Sequence, residues 1–442
     1  MSNLQIVILA GGESTRFAPL QKKDLYHFNG LRIPLIQYNE YHKLNPSKII
    51  IVVNAKAYAD YVTIFSAYSE VEIVVQVGDK GMASAVESVI PKIDVESPLL
   101  VVNMDDFYQD YDALFAEFLR DYPGLLANNE NVLLGNYRED YFPGGYLVVE
   151  GQYITNIVEK PGEGNEPSKF VNSVFDFFPK AQAVLDYIVK ASSQKDDIYE
   201  VALSMMMHDG HKFKLLENKG QWLTIKYPWH TISVMNMYLD KIKGQTIAAD
   251  VYVAPTAVIK GDVIIESGTK IYDGAVINGP VYIGKNCIIA NGALVRSSMI
   301  GDECVVGYVT EIARSYLKSK VWTHKNYIGD SIIDDNVSFG SNAVTANLRL
   351  DEKDVVVSIK GQKVNSGINK LGAIVGPNVR IGISTMIMPG IKIGGDSMIG
   401  SGVLLSNDLE SGKFVSLKQE LQIKDNNVDI SSIDRDKFKH KL

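Results

Sequence analysis

The sequence predicts an α/β domain with a mostly parallel sheet, followed by a parallel β-helix. Three observations predict it. Over the first 240 residues, short apolar runs alternate with amphipathic segments. From residue 245 on, apolar residues recur at every sixth position. The first apolar run ends in Ala10-Gly11-Gly12, a glycine turn at the carboxyl end of a strand, where ligands of parallel sheets sit.

In chain order, residues 6–9 read as a buried strand, and Ser14, Thr15 and Arg16 follow its glycine turn. Paired glycines let backbone N–H groups approach an anion closely. Arg16, Lys22 and Lys23 then supply positive charge for a polyphosphate. Further strands fall at 48–54, 71–76 and 98–104. Helices fall at 34–44, where Pro34 suits a first turn, and near 82–90. Gly11, Gly12, Gly78, Gly81, Asp105 and Asp106 each follow a strand, so they converge on one rim. This domain spans 1–240.

The second domain spans 245–425. Its register runs through Ile247, Val253, Ile259, Ile265, Ile271, Ile277, Ile283, Ile289 and Val295. It returns at Val375, Ile381, Ile387, Ile393, Ile399 and Leu405, with turn-forming residues between. Three hexads close one triangular coil, so 247–300 predicts about three coils and 375–410 about two. Ordinary antiparallel strands would show a period of two and no six-residue register. The stretch 345–372 breaks the register and reads as an extended loop. Residues 426–442 form a polar tail.

Composition narrows the function. The chain has 442 residues, 46% apolar and 22% charged, as a globular protein of two or three domains does. A net charge of −8 argues against nucleic-acid partners. The start MSNLQ lacks a basic leader, and no apolar run approaches the roughly 20 residues of a membrane span. A cytoplasmic protein without a membrane partner is expected. Two cysteines, Cys287 and Cys304, make no disulfide framework, and the seven histidines show no zinc spacing.

The run L-A-G-G-x-x-T-R-x-x-P-L at 9–20, followed by lysine, resembles the signature of the sugar-phosphate nucleotidylyltransferases. The resemblance implies a Rossmann-like nucleotidyltransferase domain, and for the hexapeptide repeats a left-handed β-helix that assembles as a homotrimer or a hexamer of trimers. It makes Arg16 and Lys23 catalytic, with Ala10, Gly11 and Gly12 at the nucleotide. QVGDKGMASA at 76–85 matches the base-recognition segment, with Gln76 and Gly81 reading the base. In NMDDFY, Asp105 becomes the Mg²⁺ ligand. Gly145 of PGGY, Glu159 and Lys160 of EKP, and Asn172 of VNSVFDF become the sugar-phosphate contacts. Two departures stand out. Ser14 replaces a loop glycine, a tolerable change if its φ is negative. In QWLTIKYPWH, Thr224, Lys226 and His230 stand where relatives often carry Asp, Gly and Asp. The metal site is then either re-equipped, with Asp106 assisting, or partly disabled.

The segment VTEIARSYLKSKVWTHKNYIGDSIIDDNVSFGSNAVTANLRLDEKDV resembles the acetyltransferase domain of the bifunctional enzymes that make UDP-N-acetylglucosamine. His324, Tyr327, Gly329, Asp330 and Asn347 match. His324 would take a proton from a sugar amine that attacks acetyl-CoA, a role suited to imidazole. Arg296 would meet a sugar-nucleotide phosphate. A histidine packed between coils is the alternative. The expected reaction joins an NTP, UTP or dTTP, to a hexose-1-phosphate, giving NDP-sugar and pyrophosphate. Acetylation of an amino-sugar phosphate is a second expected activity. The competing expectation is a non-catalytic subunit that binds sugar nucleotides.

Overall fold

A computed structural model describes residues 3–195 and 197–439. Gln5–Ala10 sits between Lys48–Val53 and Leu99–Asn103, parallel to both, and Val71–Val75 extends the parallel run. The first three strands are buried on both faces, which is why they read as continuous apolar runs, while Val71–Val75 at the sheet edge is half-buried. Beyond residue 130 the sheet becomes mixed. Phe175–Phe178 joins Leu99–Asn103 antiparallel, while Phe213–Asn218 runs parallel to Asn131–Tyr137. The helix Ile33–His42 carries Pro34 in its first turn, as expected, and the helix Gly81–Glu87 starts one residue before the expected 82–90 stretch. Among the described residues no helix is long and apolar enough to cross a membrane.

The hexads wind into a β-helix of three parallel faces, two of them eight strands long. Ile265, Ile271, Ile277, Ile283, Ile289 and Val295 all point into its core, as do Val375 through Leu405 in the second register. Ile247 and Val253 remain 37% exposed, because the first coil has no neighbour beneath it. More coils form than the sequence predicts. Partners stand 18 positions apart at Val263↔Val281, 17 at Tyr282↔Met299 and 16 at Tyr316↔Ile332. One- and two-residue deletions at the corners hide the middle coils from a strict six-residue count but leave the ladder intact.

The stretch 345–372 is not an extended loop. Within it Val356–Ile359 and Gln362–Asn365 form an antiparallel hairpin. Val355, Val357 and Ile359 are buried, and Gly390 offers the hairpin its seat: a Cβ there would stand 2.5 Å from Val355 Cγ1. The last ladder strand is Phe414–Val415, and residues 416–436 lie exposed. The N-terminal domain covers one face of the β-helix, where Tyr26 stacks on Tyr316 with ring centroids 5.2 Å apart.

Candidate active site

A cavity of about 340 Å³ opens at the carboxyl ends of Gln5–Ala10 and Leu99–Asn103. Ala10, Gly11, Gly12, Lys23, Gln76, Gly81 and Asp105, all chosen from the sequence, line it. The opposite wall is Ile198, Tyr199 and Glu200, which sequence reasoning missed. They open the helix Ile198–His208, which Asp197 precedes at the N-cap position. An Asp just before an apolar periodic run was the available signal.

The glycine loop is shaped by Gln76. Its Nε2 donates to the Gly81 carbonyl at 3.1 Å. Its Oε1 would stand 2.0 Å from a Cβ at Gly11, so a side chain there would push the Gln76 amide aside. Asn54 Nδ2 donates to the carbonyls of Gly11 and Gly12, at 3.3 Å each. Ser14 does not meet the condition set for it: its φ is +54°, in the left-handed region, at a penalty of about 1–2 kcal/mol for a side-chain-bearing residue. Its Oγ is buried without a partner at the cavity wall. A hydroxyl held there under strain is an unmet donor for a phosphate oxygen.

The two neighbouring lysines part ways. Lys23, in the short turn Lys23–Leu25, ion-pairs with Asp105 and donates to the Ile225 carbonyl at 3.0 Å. Lys22 turns outward, to the Lys56 carbonyl at 2.9 Å and to Asp60 at 3.5 Å. Arg16 lies at the exposed edge, its guanidinium 5.9 Å from the centre of the Tyr227 ring.

Of the residues expected to contact the sugar phosphate, Gly145 and Glu159 are cross-strand partners, and a Cβ at Gly145 would meet Glu159 Oε2 at 3.1 Å. Lys160 pairs with Glu159 at 2.5 Å. Glu159 lines a second groove, and Glu200 belongs to both cavities and joins them. Asn172 Oδ1 is buried and unpartnered. Nearby Asp176, wholly buried, is pushed up to about 7 by burial and accepts from the Tyr199 hydroxyl at 3.0 Å. It fixes the ring that walls the cavity.

Residues 5–225 match the nucleotidyl transferase family, and 262–297 and 372–407 match the bacterial transferase hexapeptide repeat. A bifunctional sugar-1-phosphate nucleotidylyltransferase/acetyltransferase of Sulfurisphaera tokodaii is 31% identical over 87% of this chain and 93% of its own length. The chain belongs to the nucleotidyl transferase family. Two archaeal proteins named bifunctional protein GlmU are similarly close. That of Methanococcus vannielii is 32% identical over 87% of this chain and 91% of its own, and that of Methanocaldococcus jannaschii 30% over 87% and 90%.

Asp24, Asp105 and Glu200 all line the cavity of this nucleotidyl transferase, and Asp24 is taken up by the Tyr61 hydroxyl at 2.8 Å. Asp105 faces the cavity, its side chain 28% exposed. Asp106 is buried and turned to other partners. It accepts from Trp222 Nε1 at 3.1 Å and from Asn103 Nδ2 at 3.4 Å, and burial with the Asp105 charge pushes it up to about 6. Thr224 lies directly across from Asp106. Among the described residues no group of three His, Cys, Asp or Glu side chains could hold a metal. A cation held by one carboxylate, substrate phosphates and water is still an ordinary Mg²⁺ arrangement, so Asp105 fits the role. His230 is no carboxylate substitute either. Burial lowers it to about 4, and as a neutral ring it accepts the Lys226 backbone N–H at 3.1 Å.

Lys226 places a further cation within electrostatic reach of Arg16, Asp106, Glu159 and Lys160. Its Nζ donates to the Pro143 carbonyl at 3.0 Å and lies 4.1 Å from the centre of the Phe142 ring. Burial depresses it to about 8, Arg16 and Lys160 reinforce the shift, and Asp106 and Glu159 oppose it. The ammonium is therefore present at pH 7 and lost as pH rises through 8. The KM for sugar-1-phosphate is expected to rise about tenfold between pH 7 and 9.5, the equivalent of one charge-assisted contact. Lys226→Met should flatten that rise. A wild-type KM constant over this range would detach Lys226 from the phosphate.

The β-helix of this nucleotidyl transferase gathers part of the second predicted site. Asn347 Nδ2 donates to the Tyr327 hydroxyl at 3.2 Å and also to Asp330. Arg314 grips Asp330 with two bonds of 2.7 Å. Arg296 pairs with Glu311 on the next coil at 2.7 Å. His324 does not pack between coils: it is exposed at a corner. Asn326, which sequence reasoning passed over, pins that corner. Its Oδ1 accepts the His324 backbone N–H at 2.5 Å, and its Nδ2 donates to the Gly340 and Ala343 carbonyls at 2.8 Å.

Proposed function

We propose that the protein is a sugar-1-phosphate nucleotidylyltransferase that takes UTP or dTTP and a hexose-1-phosphate, with Mg²⁺. The observation that carries the reading is Lys23 and Asp105 paired in a cavity walled by the glycine loop and by the unpartnered Ser14 hydroxyl. A sugar-phosphate oxygen attacks the α-phosphorus, a new P–O bond forms, the α–β bridging bond breaks, and pyrophosphate leaves with its electron pair. Negative charge on the α-phosphate oxygens is met by Lys23, whose place is fixed by Asp105 and the Ile225 carbonyl. Gln76 and Gly81 read the base edge, while Glu159 and Asn172 take sugar hydroxyls and Lys160 the sugar phosphate. A divalent cation at Asp105 supplies Lewis-acid neutralisation of the phosphates.

The β-helix adds acetyl transfer from acetyl-CoA to an amino-sugar phosphate, with His324 as the base. Uncovered apolar side chains support a homotrimer as the working assembly. Trp322, Met398 and Phe414 stand 52–65% exposed on one face of the β-helix. Arg16 stays in the catalytic set as an exposed cation at the mouth.

Pyrophosphate release measured over a grid of NTPs and sugar-1-phosphates, with Mg²⁺ present, tests the first activity. Release is expected with UTP or dTTP. Silence over the whole grid would turn the reading to a non-catalytic sugar-nucleotide-binding subunit, which the missing carboxylate at Thr224 favours. Coenzyme A release from acetyl-CoA with amino-sugar phosphates tests the second activity.

A further inference from the structure

We propose that the β-helix holds the loop that carries Lys23, making Lys318 and Asp334 positioning residues for nucleotidyl transfer at a site neither of them lines. The proposal rests on the N-terminal cavity being the nucleotidyl-transfer site.

Lys318 and Asp334 sit on adjacent coils and are 5% and 0% exposed at their side chains. The Lys318 ammonium spends all three donors: on Asp334 Oδ1 at 2.8 Å, Asp335 Oδ2 at 2.7 Å and the side-chain oxygen of Gln21 at 2.8 Å. Asp334 Oδ2 accepts the Gln21 backbone N–H at 2.7 Å and the Tyr26 hydroxyl at 3.3 Å. Tyr316, on the same face, accepts the His27 N–H at 3.1 Å and donates to the His27 carbonyl at 2.9 Å. Ahead of these contacts, the β-helix backbone meets the loop at Gly376, where a Cβ would stand 2.8 Å from the Pro19 carbonyl.

The placement of these contacts separates positioning from simple adhesion. Among the described residues, every side-chain hydrogen bond between the two domains falls on Gln21, Tyr26 or His27. The segment they bracket contains Lys23, two residues beyond Gln21. A buried ion pair with every donor used tolerates little displacement, because any shift strands a charge away from water. Gln21 is thus held in one place, and the turn Lys23–Leu25 starts from it. Displacing a reacting group by about 1 Å can slow a reaction 10²-fold. The β-helix is therefore part of the first active site as well as the home of the second.

The test compares wild type, Gln21→Ala and the double variant Lys318→Met/Asp334→Asn in the full chain. The double change removes both charges of the buried pair and leaves Asp335 to the water it already reaches, and Gln21→Ala removes the loop's side-chain contact to Lys318 while its backbone N–H stays on Asp334, without touching the β-helix core. Two readouts are taken: steady-state pyrophosphate release, and the rate of tryptic cleavage after Lys22 and Lys23, followed by mass spectrometry well below the melting temperature. In the double variant kcat is expected to fall roughly 10–100-fold, with KM for the NTP within about threefold of wild type. Cleavage at the two lysines is expected to accelerate by a similar factor. Gln21→Ala should move both readouts the same way by less. A folded double variant with kcat within twofold of wild type and unchanged cleavage overturns the proposal. If the double variant does not fold, Gln21→Ala decides alone, and no change in its kcat or cleavage overturns the proposal. A wild type that releases no pyrophosphate instead defeats the functional reading, and the positioning role with it. Proteolysis then still reports whether the β-helix holds the loop.

Discussion

Lys23→Ala is expected to slow pyrophosphate release by roughly 10²-fold or more, the loss seen when one preorganised donor is taken from a developing charge. Geometry singles out this lysine from its neighbour. Lys23 reaches Asp105 and the Ile225 carbonyl inside the cavity, whereas Lys22 is spent on the Lys56 carbonyl and Asp60 outside it. Lys22→Ala should therefore leave the rate within about threefold, as loss of an exposed ion pair does. The effect of Lys23→Ala should fall on kcat more than on KM, because its charge is needed most as the α-phosphate becomes five-coordinate. Stability should change little, since Asp105 keeps access to water through the cavity. The contrast between adjacent lysines makes the test sharp: equal losses at both positions would mean the loop senses charge only in bulk, and the assignment of Lys23 would fail.

What the sequence made legible follows from where side chains must point. A six-residue period sends every sixth side chain inward, so the spacing of Ile265, Ile271 and Ile277 is enough to announce the β-helix. The coils between 299 and 345 escaped because their lengths drop to 17 and 16, which spoils a count but not a ladder. The hairpin after Val356 had a signal, alternating apolar residues around a Lys-Gly turn, that the broken hexad register masked. In the site, Gly11 and Asp105 were readable because each follows a strand of one parallel sheet, while Lys23 and Gln76 came from the motifs around them. Arg16 came from a motif and stands at the edge instead of on the cavity wall. Lys226 against Phe142, Arg296 against Glu311, and Lys318 against Gln21 depend on how distant segments meet, and no local pattern encodes that.

His324→Ala is expected to abolish coenzyme A release from acetyl-CoA with glucosamine-1-phosphate, by about 10²–10⁴-fold for loss of a positioned general base. Pyrophosphate release should stay at the wild-type rate. The two activities separate because His324 stands on an exposed corner of the β-helix, away from the cavity that holds Lys23. Its backbone is held by Asn326, which is anchored to two carbonyls of the next coil, while none of the described residues bonds its imidazole. A base needs that combination: a fixed attachment and a ring nitrogen left for the substrate. Asn326→Ala should therefore reduce coenzyme A release less than His324→Ala does, by loosening the corner without removing the base. The exposed corner also suits a site completed by a second chain, as a trimer would supply. If the wild type releases no coenzyme A with any amino-sugar phosphate, the β-helix serves the first active site alone, and His324 is a surface residue.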